Sequence, residues 1–332
     1  MDQESHLQDG FRRAITYMRI SVTDRCNLRC VYCMPPEGVP WIPHPGILSF
    51  EEIERIVRAT ATVGMRKIRI TGGEPLVRRD LVQLIARLAA VPGIEDIAMT
   101  TNATLMSQFA EPLARAGLQR INVSLDTLKP DRFARITRGG HLEQVMEGIK
   151  AAEKAAIAPI KINAVVLRGV NDDELLDLAR LTIDRPWHMR FIEAMPLDGN
   201  LPVEKQGFIS ADEIMERLGE LGTLESCSGP NGNGPARYFQ LPGARGTIGV
   251  ISPMSHFYCE NCNRVRLTAD GRLRLCLFSD QEIDLRTPLR DGATAEEIVA
   301  LFHQAILTKP ERHHLEVGRS NCNLRALSQI GG

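Results

Sequence analysis

The sequence predicts an α/β fold in which a parallel sheet curls into an incomplete barrel. Short β-rich segments alternate with amphipathic helical patterns through the first two thirds of the 332 residues, and this alternation is typical of parallel strands joined by right-handed helical crossovers. Six strand–helix units are too few for a complete eight-fold TIM barrel. A partial (β/α)6 TIM-type barrel is therefore the first prediction, and a flat doubly wound sheet is the second.

The predicted elements follow one another in a regular order. Strands are expected at residues 16–22, 66–71, 96–101, 120–125, 160–167 and 188–193. Helices are expected at residues 49–63, 80–90, 106–116, 141–157, 172–183 and 210–220. A serine followed three residues later by a glutamate, as at Ser49 with Glu52 and at Ser210 with Glu213, is a capping pattern that predicts the start of a helix.

One face of each predicted strand carries polar or cationic side chains. Because successive strand residues face opposite sides of a sheet, the aliphatic residues share one side and the polar residues share the other. An ordinary barrel fills its interior with bulky aliphatic side chains, whereas this one would form a chamber that binds a polyphosphate or several carboxylates. The alternative is the solvent face of an antiparallel sheet. The cations of the chamber are Arg19, Lys67, Arg69, Lys161 and Arg190.

A change of composition near residue 226 predicts two domains. Residues 226–235 are rich in glycine, proline, serine and asparagine, which is typical of a loop or linker. We therefore expect a barrel domain at residues 1–225 and a C-terminal region at residues 226–332.

The overall composition narrows the class of function. The formal net charge is −1 with the two signs well mixed, so the basic surface of a nucleic-acid-binding protein is not expected. No segment approaches the apolar length of a membrane span, and the first residues lack the basic and apolar regions of a signal peptide. The eight cysteines form two triplets plus Cys227 and Cys322, which have no assigned role. This arrangement fits disulfides poorly and indicates a reducing cytoplasm.

The first cysteine triplet is Cys26, Cys30 and Cys33, which follows the first predicted strand with the spacing C-x3-C-x2-C. Three thiolates at these spacings can hold a 4Fe–4S cluster, which normally takes four cysteines. One iron would then be free to bind another molecule. The alternatives are a zinc site with a fourth ligand such as His44, or incidental thiols.

The second triplet is Cys259, Cys262 and Cys276. No fourth cysteine is near them in sequence, so these residues fit either another three-cysteine 4Fe–4S cluster or a structural zinc site. Because the first triplet already predicts an iron–sulfur cluster, we favour a second such cluster over a zinc site here.

A hairpin is expected to bring the second triplet together. Asp270-Gly271, flanked by alternating residues, is typical of a two-residue type I′ turn. That turn would pair Cys276 with Val265 and return it beside the first two cysteines. In this register Cys276 faces away from Arg264 and Arg266, so the sequence does not explain how the cysteine and the arginines reach one ligand.

The first motif, with Tyr32 before its last cysteine, resembles the signature of the radical S-adenosylmethionine (SAM) enzymes. In that family the open iron is chelated by the amino and carboxylate groups of SAM, and an electron from the cluster releases a 5′-deoxyadenosyl radical. The resemblance implies SAM contacts at Gly73 in a Gly-Gly-Glu loop, at Ser124 after the fourth strand and at Met195 after the sixth. Alone, paired glycines indicate only a turn.

From about residue 12 to its end, the chain also resembles the GTP 3′,8-cyclase family of molybdenum-cofactor biosynthesis. The shared features are the two three-cysteine clusters, the sequence Asn-Arg-Val-Arg at 263–266, and the terminal Gly331-Gly332. The resemblance implies a lyase that uses two 4Fe–4S clusters and SAM. Its radical would take hydrogen from C3′ of GTP, and the resulting carbon radical would attack C8 of guanine. Reduction of the product radical would then give 3′,8-cyclo-7,8-dihydroguanosine triphosphate.

The same resemblance implies roles for particular residues. The open iron of the second cluster would hold the guanine base, and Arg264, Arg266, Gly331 and Gly332 would be catalytic. The Gly-Gly tail would insert into the active site, although such a terminus alone is expected to be disordered. The family usually has glycine where this chain has Ala103. The implied GTP contacts are Arg19, Arg69, Thr100, Lys161, Arg264 and Arg266.

The expected partners and the rival interpretations follow from the resemblance. An electron donor would supply the cluster, cyclic pyranopterin monophosphate synthase would act next in the pathway, and the protein could form a homodimer. One rival is a peptide-maturing radical SAM enzyme, which would complete its auxiliary cluster with further cysteines. The other is a non-enzymatic zinc-binding module, which would contain zinc and no iron.

Overall fold

A computed structural model describes residues 7–195, 207–230, 234–315 and 325–331. Within these residues the strands form one twelve-stranded sheet. All six predicted strands are present, and each end of each strand lies within one residue of its predicted position. They are β1 Tyr17–Ser21, β2 Lys67–Thr71, β3 Asp96–Thr101, β4 Arg120–Ser124, β5 Ile160–Val166 and β6 Trp187–Glu193.

Helices connect these strands on the outside of the sheet. The six predicted helices are confirmed, and one further helix between the strands, Pro130–Thr137, was not predicted. The Ser49–Glu52 capping box is complete, since Ser49 Oγ accepts from Glu52 N and Glu52 Oε2 accepts from Ser49 N. No helix among the described residues is long and apolar enough to span a membrane. The helices are α1 Phe50–Ala61, α2 Leu81–Ala89, α3 Met106–Arg115, α4 Pro130–Thr137, α5 Leu142–Lys154, α6 Leu175–Asp184 and α7 Ala211–Leu218.

The C-terminal segment extends the sheet at both edges. Its elements are β7 Glu225–Ser226, β8 Arg237–Gln240, β9 Thr247–Ile251, β10 Arg264–Leu267, β11 Arg272–Arg274, β12 Ile283–Asp284, α8 Arg286–Arg290 and α9 Ala295–Leu307. β9 pairs in parallel with β6, and β10 pairs in parallel with β1. The partial barrel is thus confirmed, but its parallel run has eight strands rather than six. β9 and β10 arrive through antiparallel strands and loops, so strand–helix alternation could not reveal them.

Both faces of the parallel sheet are buried. Aliphatic residues such as Ile20, Ile70 and Val123 pack beneath the helices in one contiguous core. On the opposite face Lys161 and Arg190 are each 2% exposed. The polar face is therefore the interior of the barrel, and the alternative of a solvent-facing antiparallel sheet is wrong.

The β10–β11 hairpin differs from the predicted two-residue turn. Arg266 pairs with Arg274 and Leu267 with Leu273, so three residues, 269–271, form the loop. A hydrogen bond from Gly271 N to Thr268 O (3.0 Å) closes it, and Gly271 has φ +79°. These features are typical of a three-residue hairpin loop that ends in a left-handed residue. The predicted pairing of Cys276 with Val265 is wrong by one residue.

Candidate functional site

A row of three arginines lines one side of the barrel lumen. Arg19 on β1 lies beside Arg69 on β2 and beside Arg266 on β10 in the parallel register. Burial, followed by the charges of Arg266 and Arg69, lowers the pKa of Arg19 well below its usual value. Burial also lowers the pKa values of Arg69 and Arg266 to about 10. Buried cations that repel one another favour an anionic ligand.

A second row crosses the middle of the sheet. Thr100, Asn122 and Lys161 are neighbours in register on β3, β4 and β5. Arg190 on β6 donates to Asn122 Oδ1 at 2.6 Å and to Asn163 Oδ1 at 2.8 Å. The predicted contacts Thr100 and Lys161 therefore lie in one hydrogen-bonded layer with residues that face the same lumen.

The first cysteine triplet lies in the loop between β1 and α1. Cys26 Sγ accepts from Leu28 N at 3.4 Å, and Cys33 N donates to Cys30 O at 2.9 Å. Burial raises the pKa of Cys30 well above that of a free thiol, and the nearby Cys33, Asp126 and Cys26 raise it further. The three thiols are thus close together. As thiolates they would repel one another, so they fit a cationic iron core that holds them in that form.

The glycine loop after β2 packs directly against the cysteine loop. A Cβ on Gly73 would lie 2.3 Å from the carbonyl oxygen of Arg25, so only glycine permits this approach. The next residue, Glu74, is buried and accepts from Thr101 Oγ1 (2.7 Å) and Asn102 N (2.6 Å). Burial raises the pKa of Glu74 to about 7. Glu74 therefore ties the end of β2 to the end of β3, a role that the sequence did not reveal.

The remaining predicted SAM contacts lie at the same end of the barrel. Tyr32 O–H donates to Asp126 Oδ2 at 2.7 Å, and burial raises the pKa of Asp126 to about 6. Ser124 is the last residue of β4, and Met195 is two residues beyond the end of β6. Ala194, next to Met195, belongs to the small apolar cluster against which Tyr32 packs.

The second cysteine triplet is brought together by the corrected hairpin register. Continuing that register beyond β11 places Cys276 opposite Arg264, on the same face as Arg266. Arg264 Nη2 contacts Cys262 Sγ at 3.8 Å. Burial raises the pKa of Cys259, and the neighbouring thiols of Cys276 and Cys262 raise it further. The one-residue correction therefore explains how the cysteine and the arginines can face one ligand.

The charge around this triplet differs from that around the first. Although burial opposes it, the charges of Arg264 and Lys309 lower the pKa of Cys262 to about 7. Thiolate ligands beside cations fit an iron–sulfur cluster with three protein ligands. Among the described residues, no group of three or more His, Cys, Asp or Glu side chains is spaced to hold a single metal ion.

The C-terminal tail lies among the lumen arginines. Gly331 O accepts from Arg19 Nη2 and from Arg266 Nη1, each at 3.0 Å, and Ile330 O accepts from Arg266 Nη1 at 3.2 Å. Gly331 has φ +80°, and a Cβ there would lie 2.5 Å from Thr71 Oγ1. Gly331 lies inside the lumen, as the resemblance implies for the tail. Gly332 lies outside the described residues.

Two further features bear on the sequence predictions. Arg120 at the start of β4 forms a buried ion pair with Asp96 inside the barrel. Arg120 shares the strand parity of Asn122, so the same alternation could have found it. Ala103 has φ +60° and is buried, which is the left-handed conformation that glycine adopts freely. Such a conformation costs an L-residue about 1 kcal/mol or more.

Comparison with known proteins covers nearly the whole chain. Residues 20–182 match the family model described as the radical SAM superfamily, and residues 187–315 match the model described as Molybdenum Cofactor Synthesis C. A protein of Pelotomaculum thermopropionicum named GTP 3′,8-cyclase is 52% identical over 327 residues, which cover 98% of this chain and 100% of that protein. A protein of the same name from Moorella thermoacetica is 50% identical over 326 residues, with coverages of 98% and 100%.

The fold also resembles that of solved structures. Streptococcus suis SuiB bound to S-adenosylmethionine superposes with a TM-score of 0.62 at 16% sequence identity. The match covers 87% of this chain and 69% of SuiB. At this identity the likeness shows the shared fold alone.

Proposed function

The chain belongs to the GTP 3′,8-cyclase family of radical SAM enzymes, and we propose that it converts GTP to (8S)-3′,8-cyclo-7,8-dihydroguanosine 5′-triphosphate in molybdenum-cofactor biosynthesis. The observation that carries the proposal is the cationic lumen bounded by two cysteine triplets, with Arg19, Arg69 and Arg266 in one row. A triphosphate is an anion of the kind that several converging guanidinium groups bind.

The first triplet would hold the 4Fe–4S cluster that, with SAM, supplies the 5′-deoxyadenosyl radical. The chain's own residues would fix where SAM sits. Gly73 allows the loop after β2 to pack against the cysteine loop, because a side chain there would meet Arg25 O, and the backbone of this loop would bind the amino group of SAM. Tyr32, Ser124 and Met195 border the same end of the lumen, so we assign them to the cofactor's remaining contacts.

The second triplet would hold the cluster whose open iron binds the guanine base. Arg264 lies over the ring of Tyr258 at 5.1 Å and contacts Cys262, so its guanidinium is fixed beside that site. Arg69, Thr100 and Lys161 would bind the ribose and triphosphate from the facing strands. Fixing the nucleotide at both ends places C3′ near the radical, and such positioning supplies much of the catalysis.

The tail would complete the substrate site. Arg19 and Arg266 each donate to the carbonyl oxygen of Gly331. These arginines could then contact phosphate and tail together, which would exclude water from the reacting ribose. We assign catalytic roles to Arg266 and Gly331 on this basis, and to Arg264 and Gly332 from the resemblance to the family.

Binding of GTP at pH 8 is expected to take up about one proton per molecule bound. Burial, followed by the charges of Arg190 and Arg120, lowers the pKa of Lys161 to about 6. A bound triphosphate stabilises the ammonium form and raises this pKa again. GTP affinity should therefore fall as the pH rises above 6. Calorimetry in buffers of different ionisation enthalpy measures the uptake. Equal uptake by Lys161→Met would show that another group is protonated.

The proposal extends to the protein's partners. We propose that it takes its electron from an external donor, works in the reducing cytoplasm as a homodimer, and passes its product to cyclic pyranopterin monophosphate synthase. The domain division at residues 225 and 226 remains a prediction.

The proposed activity is tested with anaerobically reconstituted protein, SAM, GTP and a strong reductant. We expect about eight irons per chain for two 4Fe–4S clusters, and formation of both 5′-deoxyadenosine and the cyclised nucleotide. If protein that contains both clusters forms neither product, the proposed GTP cyclase activity is wrong. Zinc without iron would instead support the binding-module interpretation, and turnover of a peptide without GTP would support the peptide-maturing one.

A further inference from the structure

Lys309 is a buried cation that contacts both strands of the hairpin between Cys262 and Cys276. It follows α9 and is 3% exposed. Its Nζ donates to Arg264 O at 2.9 Å and to Leu275 O. Arg264 is two residues from Cys262, and Leu275 is adjacent to Cys276. One ammonium group therefore fixes the backbone next to two of the three cysteines.

The charge of Lys309 has no carboxylate partner within the part of the chain that the structure describes. Its two hydrogen bonds go to carbonyl oxygens close in sequence to Cys262 and Cys276. Burial lowers the pKa of Lys309, and the thiols of these two cysteines act in the opposite direction. Burying an ammonium ion without a counter-charge costs several kcal/mol. A cluster with net negative charge at these cysteines would supply that counter-charge.

Arg13 provides a contrast beside the same triplet. It is also buried and donates to Cys259 O at 2.8 Å, so it too fixes the backbone of a cysteine. Its charge, however, is balanced by Asp9, with Nε and Oδ2 2.6 Å apart. Backbone support near the triplet is thus provided by two cations, and Lys309 is the one of the two without a carboxylate partner among the described residues.

We propose that Lys309 is a counter-charge, in addition to Arg264, and a positioning residue of the second iron–sulfur cluster. The proposal rests on the proposed function only in requiring a cluster at Cys259, Cys262 and Cys276. Three thiolates on an oxidised 4Fe–4S core leave roughly one net negative charge, which nearby buried cations stabilise. Reduction adds another negative charge, so a nearby cation stabilises the reduced cluster and raises its reduction potential.

The test isolates the second cluster in the full-length chain by replacing Cys26, Cys30 and Cys33 with serine. In this background Lys309→Met should shift the reduction potential, followed by electron paramagnetic resonance, to a more negative value. Iron release to a chelator should become about tenfold faster, as is usual when a residue supporting metal ligands is lost. Lys309→Arg, which keeps the charge, should restore both.

Arg55→Met is the matched control. Arg55 is also a cation that donates to two backbone carbonyls of the C-terminal region, Leu289 O (3.4 Å) and Ala293 O (2.9 Å). It has no contact with the cysteines among its hydrogen bonds, so its loss should leave the potential unchanged. In the reciprocal background, with Cys259, Cys262 and Cys276 replaced by serine, Lys309→Met should leave the first cluster unchanged.

An unchanged potential in Lys309→Met, or a shift of equal size in the Arg55 control, would overturn the proposal. If Lys309→Met binds no second cluster, retention of the cluster by Lys309→Arg supports the counter-charge role, and its loss from both variants contradicts it. These outcomes are independent of the proposed activity, which fails instead if the wild-type protein carries both clusters and does not cyclise GTP.

Discussion

Replacing Cys30 with alanine is expected to abolish both SAM cleavage and GTP cyclisation. Cys30 is the middle cysteine of the first triplet. Its loss would leave two cysteines for the proposed cluster, in which one iron already lacks a protein ligand. Neither 5′-deoxyadenosine nor cyclised nucleotide should be detected by chromatography after anaerobic reconstitution.

Cys262→Ala should separate the two steps. The first triplet is intact in this variant, so 5′-deoxyadenosine should still form, but the proposed anchor for the guanine base is lost. Product formation should fall about a thousandfold or more, because correct positioning of a substrate can supply about 7 kcal/mol or more of the barrier reduction. Normal cyclisation by Cys262→Ala would show that the second triplet does not bind the base.

Cys227→Ala is the control for both cysteine variants. Cys227 lies outside both triplets, and its backbone N–H, rather than its thiol, donates to Tyr238 O at 3.0 Å. Alanine preserves that hydrogen bond. Wild-type activity in this variant would assign the losses in Cys30→Ala and Cys262→Ala to the triplets, rather than to the removal of a thiol in general.

Gly331→Ala is expected to reduce GTP cyclisation by about a hundredfold or more, as a small misplacement near the reacting atoms can do. Gly331 has φ +80°, and the added methyl carbon would lie 2.5 Å from Thr71 Oγ1. The tail must then leave its position against Arg19 and Arg266. The rates of cyclisation and of 5′-deoxyadenosine formation, measured together, should show radical formation that is no longer coupled to product.

Gly292→Ala separates the steric effect from backbone strain. Gly292 also has a positive φ, +94°, but a Cβ there would meet nothing within 4 Å among the described residues. This variant should lose about 1 kcal/mol of folding stability, seen in thermal unfolding, and keep its activity. If Gly331→Ala retains at least half of the wild-type rate, the tail has no catalytic role.

Local patterns predicted the barrel but not its edges. The alternation of aliphatic and polar residues in β1 to β6 identified the strands and the face that lines the lumen, and amphipathic patterns identified the helices between them. Each of these patterns lies within contiguous residues, so it can be recognised in the sequence. β9 and β10 join the sheet through contacts with β6 and β1 that are distant in sequence. No local pattern encodes such pairing, so the parallel run appeared to be six strands long.

The hairpin error has a local cause. Asp270-Gly271 is typical of a two-residue turn, but Asp270 accepts from Thr268 Oγ1 at 2.6 Å and pairs with Arg325 near the C-terminus. These side-chain contacts stabilise a three-residue loop instead. The shift of one residue turns Cys276 to the opposite face. Lys309 was missed for a related reason, since its importance depends on a tertiary contact with the hairpin.

The lumen between the two triplets is proposed to hold GTP with C3′ of its ribose facing the SAM-binding end. The most direct measurement uses GTP carrying deuterium at C3′ and follows the label by mass spectrometry. If Arg69, Lys161 and the tail position the ribose as proposed, deuterium should appear in 5′-deoxyadenosine as the cyclised nucleotide forms. Cyclised product accompanied by unlabelled 5′-deoxyadenosine would contradict that placement.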